Sequence, residues 1–215
     1  MKHRRVILAV VAAVALAACS SGSKKGKGPA SAPSTGPAIT VLALGGSATE
    51  GDGVRDRFRD AWPYLVFETA FPRSTIFVNG ALDDATLQHA ITTQTPLAAQ
   101  LKPDLVEVWL GADDVTSGTP ISQFRSELHQ LLGLLQSSGV RRILVADLPR
   151  ALGNIAPYNA AIHAEVAAAH AELVSLANAA ITVAPTEGLT PQPDAASHRL
   201  IAAAFERRIA QAPEP

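Results

Sequence analysis

The run Leu44-Gly45-Gly46-Ser47-Ala48-Thr49-Glu50-Gly51 places a serine between glycines directly after an apolar stretch. A serine just past a buried strand can point its hydroxyl into the mouth of a sheet, where it is a candidate nucleophile. It then needs a base within hydrogen-bond reach, because a hydroxyl is a poor nucleophile near neutral pH. Beyond the first 28 residues the histidines are His89, His129, His163, His170 and His198. The first four fall within predicted helices and read as ordinary surface or core residues. His198 follows Asp194 by four, a spacing that sets both on one helix face, and it is the candidate base. Asp83, Asp84, Asp113 and Asp114 form two acidic pairs. No histidine or cysteine accompanies them at ligand spacing, which argues against a transition-metal centre. No Gly-Lys-Ser/Thr follows Gly46, so the turn is not a phosphate-binding loop.

These residues must be held by regular elements. Ile39–Leu44, Thr75–Val78, Leu105–Leu110, Arg142–Ala146, Glu172–Leu176 and the shorter Ile181–Val183 read as strands. Most are continuous apolar runs, the pattern of strands buried on both faces. Helical segments lie between them. In Ile121–Ser138 the residues Ile121, Phe124, Leu128, Leu131 and Leu135 recur at spacings of 3 and 4. Further helices are expected over Tyr158–Ala169 and Ala195–Ala212, the last with Leu200, Ile201, Ala204, Phe205 and Ile209 as its apolar stripe. Alternation of strand and helix predicts a three-layer α/β/α domain with a mainly parallel sheet. In such sheets ligands sit beyond the carboxyl ends of the strands, which directs attention to the loops after Leu44, Val78 and Leu110.

Read together, these segments resemble the SGNH/GDSL family of hydrolases. Gly45-Gly46-Ser47-Ala48-Thr49-Glu50-Gly51 is similar to the family's first block, with Ser47 at the nucleophile. Asn79 to Thr86 has the spacing of the second, and Leu110-Gly111-Ala112-Asp113-Asp114 is similar to the third. Ala61-Trp62-Pro63, Asp147-Leu148-Pro149 and Pro157-Tyr158-Asn159 follow in family order. The resemblance runs from about Val41 to Ile209. It implies the flavodoxin-like SGNH fold, an esterase or acylhydrolase acting on ester or acyl groups of lipid, glycan or envelope material, and no cofactor.

It also exposes departures. Gly46 stands where the family usually has Asp. Asp84 stands at a glycine whose backbone N–H serves the oxyanion. Asp113 stands at an oxyanion-hole asparagine, and an ionised carboxylate accepts hydrogen bonds where an amide NH₂ donates them. In the last block Glu187 falls at the acid and Thr190 at the histidine, while an alternative alignment from the final helix puts Gln192 at the histidine. His198 lies eight residues past Thr190, about two helical turns, so it reaches Ser47 only if the last helix begins differently. A second reading therefore stands beside hydrolysis: a degenerate domain of this family that binds an envelope ligand. Two carboxylates converging from different loops, Asp84 and Asp113, would share a proton or hold a cation.

The remaining residues bear on location. Lys2, Arg4 and Arg5 precede the apolar run Val6–Ala18, which is 13 residues long. A membrane-spanning helix needs roughly 20, so residues 1–18 are expected to be a signal peptide. Leu16-Ala17-Ala18-Cys19 resembles a lipobox, and Cys19 is the sole cysteine. Its acylation would anchor the chain to a membrane by burying CH₂ groups, at roughly 0.8 kcal/mol each. Residues 20–38 contain only Ser, Gly, Lys, Pro, Ala and Thr and are expected to be a disordered tether of about 25 Å. The folded domain is expected over 39–215, outside the cytoplasm. Six of the 18 basic residues precede residue 28 and no acidic residue precedes Glu50. The domain thus carries 12 basic and 19 acidic residues, a net charge of −7, which argues against nucleic acid as a partner.

Overall fold

The computed structural model describes residues 39–186 and 189–211. The leader, Cys19, the tether and Glu187 lie outside that range. The chain runs β1 (Thr40–Gly45), α1 (Ser47–Glu50), α2 (Arg57–Asp60), α3 (Trp62–Ala70), β2 (Ile76–Asn79), α4 (Leu87–Thr93), α5 (Thr95–Leu101), β3 (Leu105–Trp109), α6 (Ala112–Ser117), α7 (Ile121–Ser137), β4 (Arg142–Ala146), α8 (Ala156–Ala168), β5 (Glu172–Val174), β6 (Val183–Thr186), β7 (Leu189–Pro193) and α9 (Ala195–Ala210). The first five strands form one parallel sheet in the order β2-β1-β3-β4-β5.

The apolar strand runs are explained by two cores, one on each face. Leu42, Leu44, Val106, Val108, Ile143 and Val145 pack with residues of α4, α7 and α8. Their neighbours in sequence, among them Val41, Leu105, Trp109, Leu144 and Ala146, pack with α3 and α9. Helix α7 buries Phe124, Leu128, Leu131, Leu132 and Leu135, each contributing about 1.5–3 kcal/mol of hydrophobic transfer. Helix α9 starts at the expected residue, capped by Asp194, whose Oδ1 accepts the Ser197 N–H at 2.8 Å. Its stripe is narrower than expected, because Leu200 is 39% exposed.

Two strand expectations need correction. The segment at Ile181–Val183 does not join the parallel sheet. Val183 instead opens β6, which pairs antiparallel with β7 as a separate two-stranded sheet. Pro185, Pro191 and Pro193 carry no N–H to offer a central ladder. Strand β5 stops at Val174 because the next main-chain donors turn elsewhere: the N–H groups of Leu176 and Ala177 donate to Asp147 Oδ1 at 2.5 and 2.8 Å.

One buried carboxyl group interrupts the apolar pattern. Glu107 stands in the middle of β3, in register with Ala43 and Leu144. It is fully buried, and neither carboxyl oxygen has a hydrogen-bond partner among the described residues. Burial pushes its pKa up to about 8.

Candidate active site

Strand β1 delivers Ser47 to the carboxyl edge of the sheet. Gly45, its last residue, is pinned by the side-chain amide of Gln94. The Gly45 N–H donates to Gln94 Oε1 at 3.0 Å, and Gln94 Nε2 donates back to the Gly45 carbonyl at 2.9 Å. A Cβ on Gly45 would lie 2.0 Å from Thr49 Oγ1, so the turn into α1 closes only over glycine. Ser47 then opens α1 and is 3% exposed.

The loop after β2 approaches from one side. Asn79 Nδ2 donates to the Thr49 carbonyl at 2.8 Å, and its Oδ1 accepts the Ala81 N–H at 3.1 Å. Thr86 caps α4 by accepting the His89 N–H. Between them the Asp84 N–H donates to Ser47 Oγ at 3.0 Å. Asp84 has φ +50°, a left-handed backbone that glycine adopts freely and Asp tolerates better than most side chains. The backbone donor therefore persists with a side chain added. That side chain is exposed to solvent.

The loop after β3 approaches from the other side. Asp114 is buried and its Oδ2 accepts the Leu87 N–H at 3.0 Å, which ties this loop to the start of α4. Burial pushes the Asp114 pKa up to about 6. Asp113 is 8% exposed, and its Oδ1 accepts the Thr190 hydroxyl at 2.5 Å. Its Oδ2 lies so close to Gly46 that a Cβ there would be 2.4 Å away. The Asp113 pKa is raised above the ordinary carboxylate value by burial, opposed by the Thr190 hydrogen bond, with further upward pushes from Asp84 and Asp83. The structure thus brings Ser47, Gly46, Asp113, Thr190 and the Asp84 N–H together.

It does not bring His198 to the serine. His198 Nδ1 accepts the Trp62 N–H at 3.1 Å, and Nε2 lies 3.0 Å from the Asp52 carbonyl, to which it donates. The ring is wholly buried, and burial depresses its pKa. Both nitrogens are committed to main chain, so the expectation of His198 as base is replaced by a structural role: it joins α9 to the start of α3 and to the loop after α1. Asp194 is not its side-chain partner, because that carboxylate caps α9. Nor do Asp84 and Asp113 make a facing carboxylate pair, one being exposed and the other buried. Among the described residues no group of three or more His, Cys, Asp and Glu side chains is placed to hold a metal ion, and Ser47 Oγ donates to no described residue.

A narrow cleft opens beside Ser47, walled by Trp109, Leu110, Pro149, Leu152 and Pro191. Gln192 lines it too, is 9% exposed, and donates from Nε2 to the Thr190 carbonyl at 2.8 Å. Three further residues shape this edge; Trp62 and Asn159 lie in segments that carry the resemblance, and Gln94 escapes a reading of motifs. Gln94 pins β1. Asn159 does the same for the loop after β4, exchanging hydrogen bonds of 2.8 and 2.9 Å with the main chain of Leu148. Trp62, stacked on Phe205 at 4.3 Å, donates through Nε1 to Thr49. The signal for Asn159 is a polar amide in the apolar phase of α8, whereas Gln94 stands at the junction of α4 and α5.

Solved structures share this arrangement of elements. The psychrotrophic esterase EstA from a Pseudoalteromonas species superposes with a TM-score of 0.66 at 18% identity, over 80% of this chain and 96% of that one. Axe2, an acetylxylan esterase from Geobacillus stearothermophilus, gives 0.65 at 16%, over 82% and 96%. An arylesterase from Vibrio mimicus is 26% identical over 107 residues, 49% of this chain and 52% of that protein. The match therefore spans about half the length of that relative. Residues 43–207, from inside β1 to near the end of α9, match the GDSL-like lipase/acylhydrolase family. That span takes in the sheet, the serine turn and the loops that close on it, and the chain belongs to this family.

Proposed function

We propose that this is a catalytically degenerate acylhydrolase domain that binds a ligand in the cleft beside Ser47 without cleaving it. The observation that carries the reading is the hydrogen bond between Thr190 and Asp113. By the resemblance of the last and third blocks, these residues stand where a histidine base and an oxyanion amide belong. A threonine hydroxyl is no base near neutral pH, and a carboxylate opposes an oxyanion where an amide would stabilise it. Loss of one oxyanion donor alone costs about 2.7–4 kcal/mol of barrier. We further propose that Cys19 is lipidated and holds the domain on the extracytoplasmic side of a membrane. A small ester, lipid or glycan of the envelope is the natural ligand class, and nucleic acid is not.

The test is reactivity. A fluorophosphonate probe should label Ser47 slowly or not at all, and short p-nitrophenyl esters should turn over near background. Hydrolysis is the competing reading, favoured by family membership and by the Asp84 N–H already in place at Ser47 Oγ. Rapid labelling that disappears in Ser47→Ala would establish it. For the anchor, Cys19→Ala should shift the protein out of the membrane fraction, and unchanged attachment would remove that part of the proposal.

A further inference from the structure

We propose that the cleft beside Ser47 takes a small molecule carrying a primary ammonium group on a short apolar stem, with Asp113 and Gln192 as its acceptors. This deepens the binding reading above and rests on it.

Two independent observations carry the inference. Asp113 places a carboxylate, 8% exposed, in a cleft whose other walls are largely apolar. A single carboxylate in such surroundings attracts a cation more strongly than it would in water. Gln192 supplies the second. Its Nε2 donates to the Thr190 carbonyl, which fixes the amide orientation, since exchanging oxygen and nitrogen would set two oxygens against each other. That leaves Gln192 Oε1 buried, with no hydrogen-bond partner among the described residues. A buried acceptor without a donor is costly and calls for a donor from the ligand.

The acceptors of the cleft match an ammonium group, while one lining donor, the buried Trp109 Nε1–H, has no partner among the described residues and gains none from it. An ammonium group offers three N–H donors. Asp113 Oδ2, Gln192 Oε1 and the second lone pair of Ser47 Oγ, whose first accepts the Asp84 N–H, belong to residues of one cleft. A hard metal ion fits less well, because calcium takes six to eight oxygen ligands and the Asp84 carboxylate faces solvent. An alcohol would satisfy Gln192 but leave the Asp113 charge uncompensated. Leu110, Pro149, Leu152 and Pro191 suit the stem.

Calorimetric titration of the full-length protein in detergent at pH 7 tests this with three probes of one stem length: butylamine, 1-butanol and butyltrimethylammonium. Butylamine should bind saturably at one site. The alcohol lacks the charge and the quaternary ion lacks N–H donors, so each should bind at least about tenfold more weakly, as expected for loss of a charge-assisted hydrogen bond. Asp113→Asn should weaken butylamine by about tenfold or more, and Gln192→Leu should weaken it by a smaller factor. An unchanged far-ultraviolet circular dichroism spectrum verifies that each variant is folded. No saturable binding of butylamine, equal binding of butanol, or an unaffected Asp113→Asn variant would overturn the inference. Failure here leaves the binding reading intact if Ser47 stays inert to fluorophosphonate. Rapid labelling of Ser47 removes the binding reading whatever the amine does.

Discussion

The Thr190 hydroxyl donates to Asp113 Oδ1 at 2.5 Å, and the same carboxylate lies with Oδ2 against Gly46. Positions 46, 113 and 190, which the proposed reading takes as departures from the family pattern, are thus one packed unit. The carboxylate occupies the space that a side chain at 46 would need, and the small threonine closes over it.

Restoring one position alone should therefore achieve little. Thr190→His or Asp113→Asn singly should stay inert toward p-nitrophenyl acetate. The combination Asp113→Asn with Thr190→His should raise turnover by at least about tenfold over background, the lower end of what a positioned base contributes being about a hundredfold. A folded but inert double variant would mean that Thr190 is not the position of the missing base.

Gly46→Ala should push the Asp113 carboxylate aside and break its bond to Thr190. Overpacking of this kind costs about 1–3 kcal/mol, readable as a lowered urea midpoint. Asp113→Ala removes the obstacle, so the double variant should be less destabilised than the sum of the singles. Simple additivity would place the Asp113 carboxylate away from Gly46.

The buried Glu107 sets a pH dependence of stability. Its folded pKa of about 8 lies above the unfolded value of about 4.3. A carboxyl raised in this way is bound to its proton more tightly in the native state, so its contribution to stability is greatest below pH 4 and falls as pH rises toward 8. Asp114, raised to about 6, acts in the same direction over a lower window. The Glu107 contribution is at most about 5 kcal/mol. Glu107→Gln should flatten the decline between pH 5 and 8 in denaturant midpoints measured across that range. An unchanged slope would show that the carboxyl finds a partner or solvent.

His198→Ala should lower stability by about 2–4 kcal/mol, since it leaves the Trp62 N–H and the Asp52 carbonyl without their buried partner. It should leave the slow reactivity of Ser47 unaltered. The depressed histidine pKa adds stability that is full above the unfolded pKa of about 6.5 and is lost as pH falls below it. In His198→Ala that acid-side loss should shrink. A variant as stable as the wild type would deny the tie between α9 and α3.

Much of this architecture was legible in the residues. Continuous apolar runs marked most of the parallel strands because burial on both faces leaves no polar phase, and the 3-and-4 spacing marked α7 because one stripe must face the core. The sixth run was misplaced because three apolar or neutral residues cannot reveal their partner. The prolines nearby decided for a separate antiparallel pair. Spacing alone sets Leu200 in the stripe of α9, whereas the structure leaves it 39% exposed.

Within the site, the sequence by itself determined that Ser47 follows β1, while the assignment of Asp84, Asp113 and Thr190 or Gln192 to donor and base positions rests on the resemblance. Only the tertiary structure decided which groups meet. His198 and Asp194 share a spacing that permits pairing, yet the cap of α9 claims the aspartate and two main-chain groups claim the histidine. Asp84 and Asp113 look equivalent as letters, but a left-handed backbone at Asp84 turns its N–H to the serine while its carboxylate stays in solvent. Asp113 is buried against Gly46 and Thr190. Spacing along a chain constrains neighbours within about one helical turn. Hydrogen bonds between loops 30 to 150 residues apart depend on how the sheet edge brings those loops together, and that is where the chemistry of this site is set.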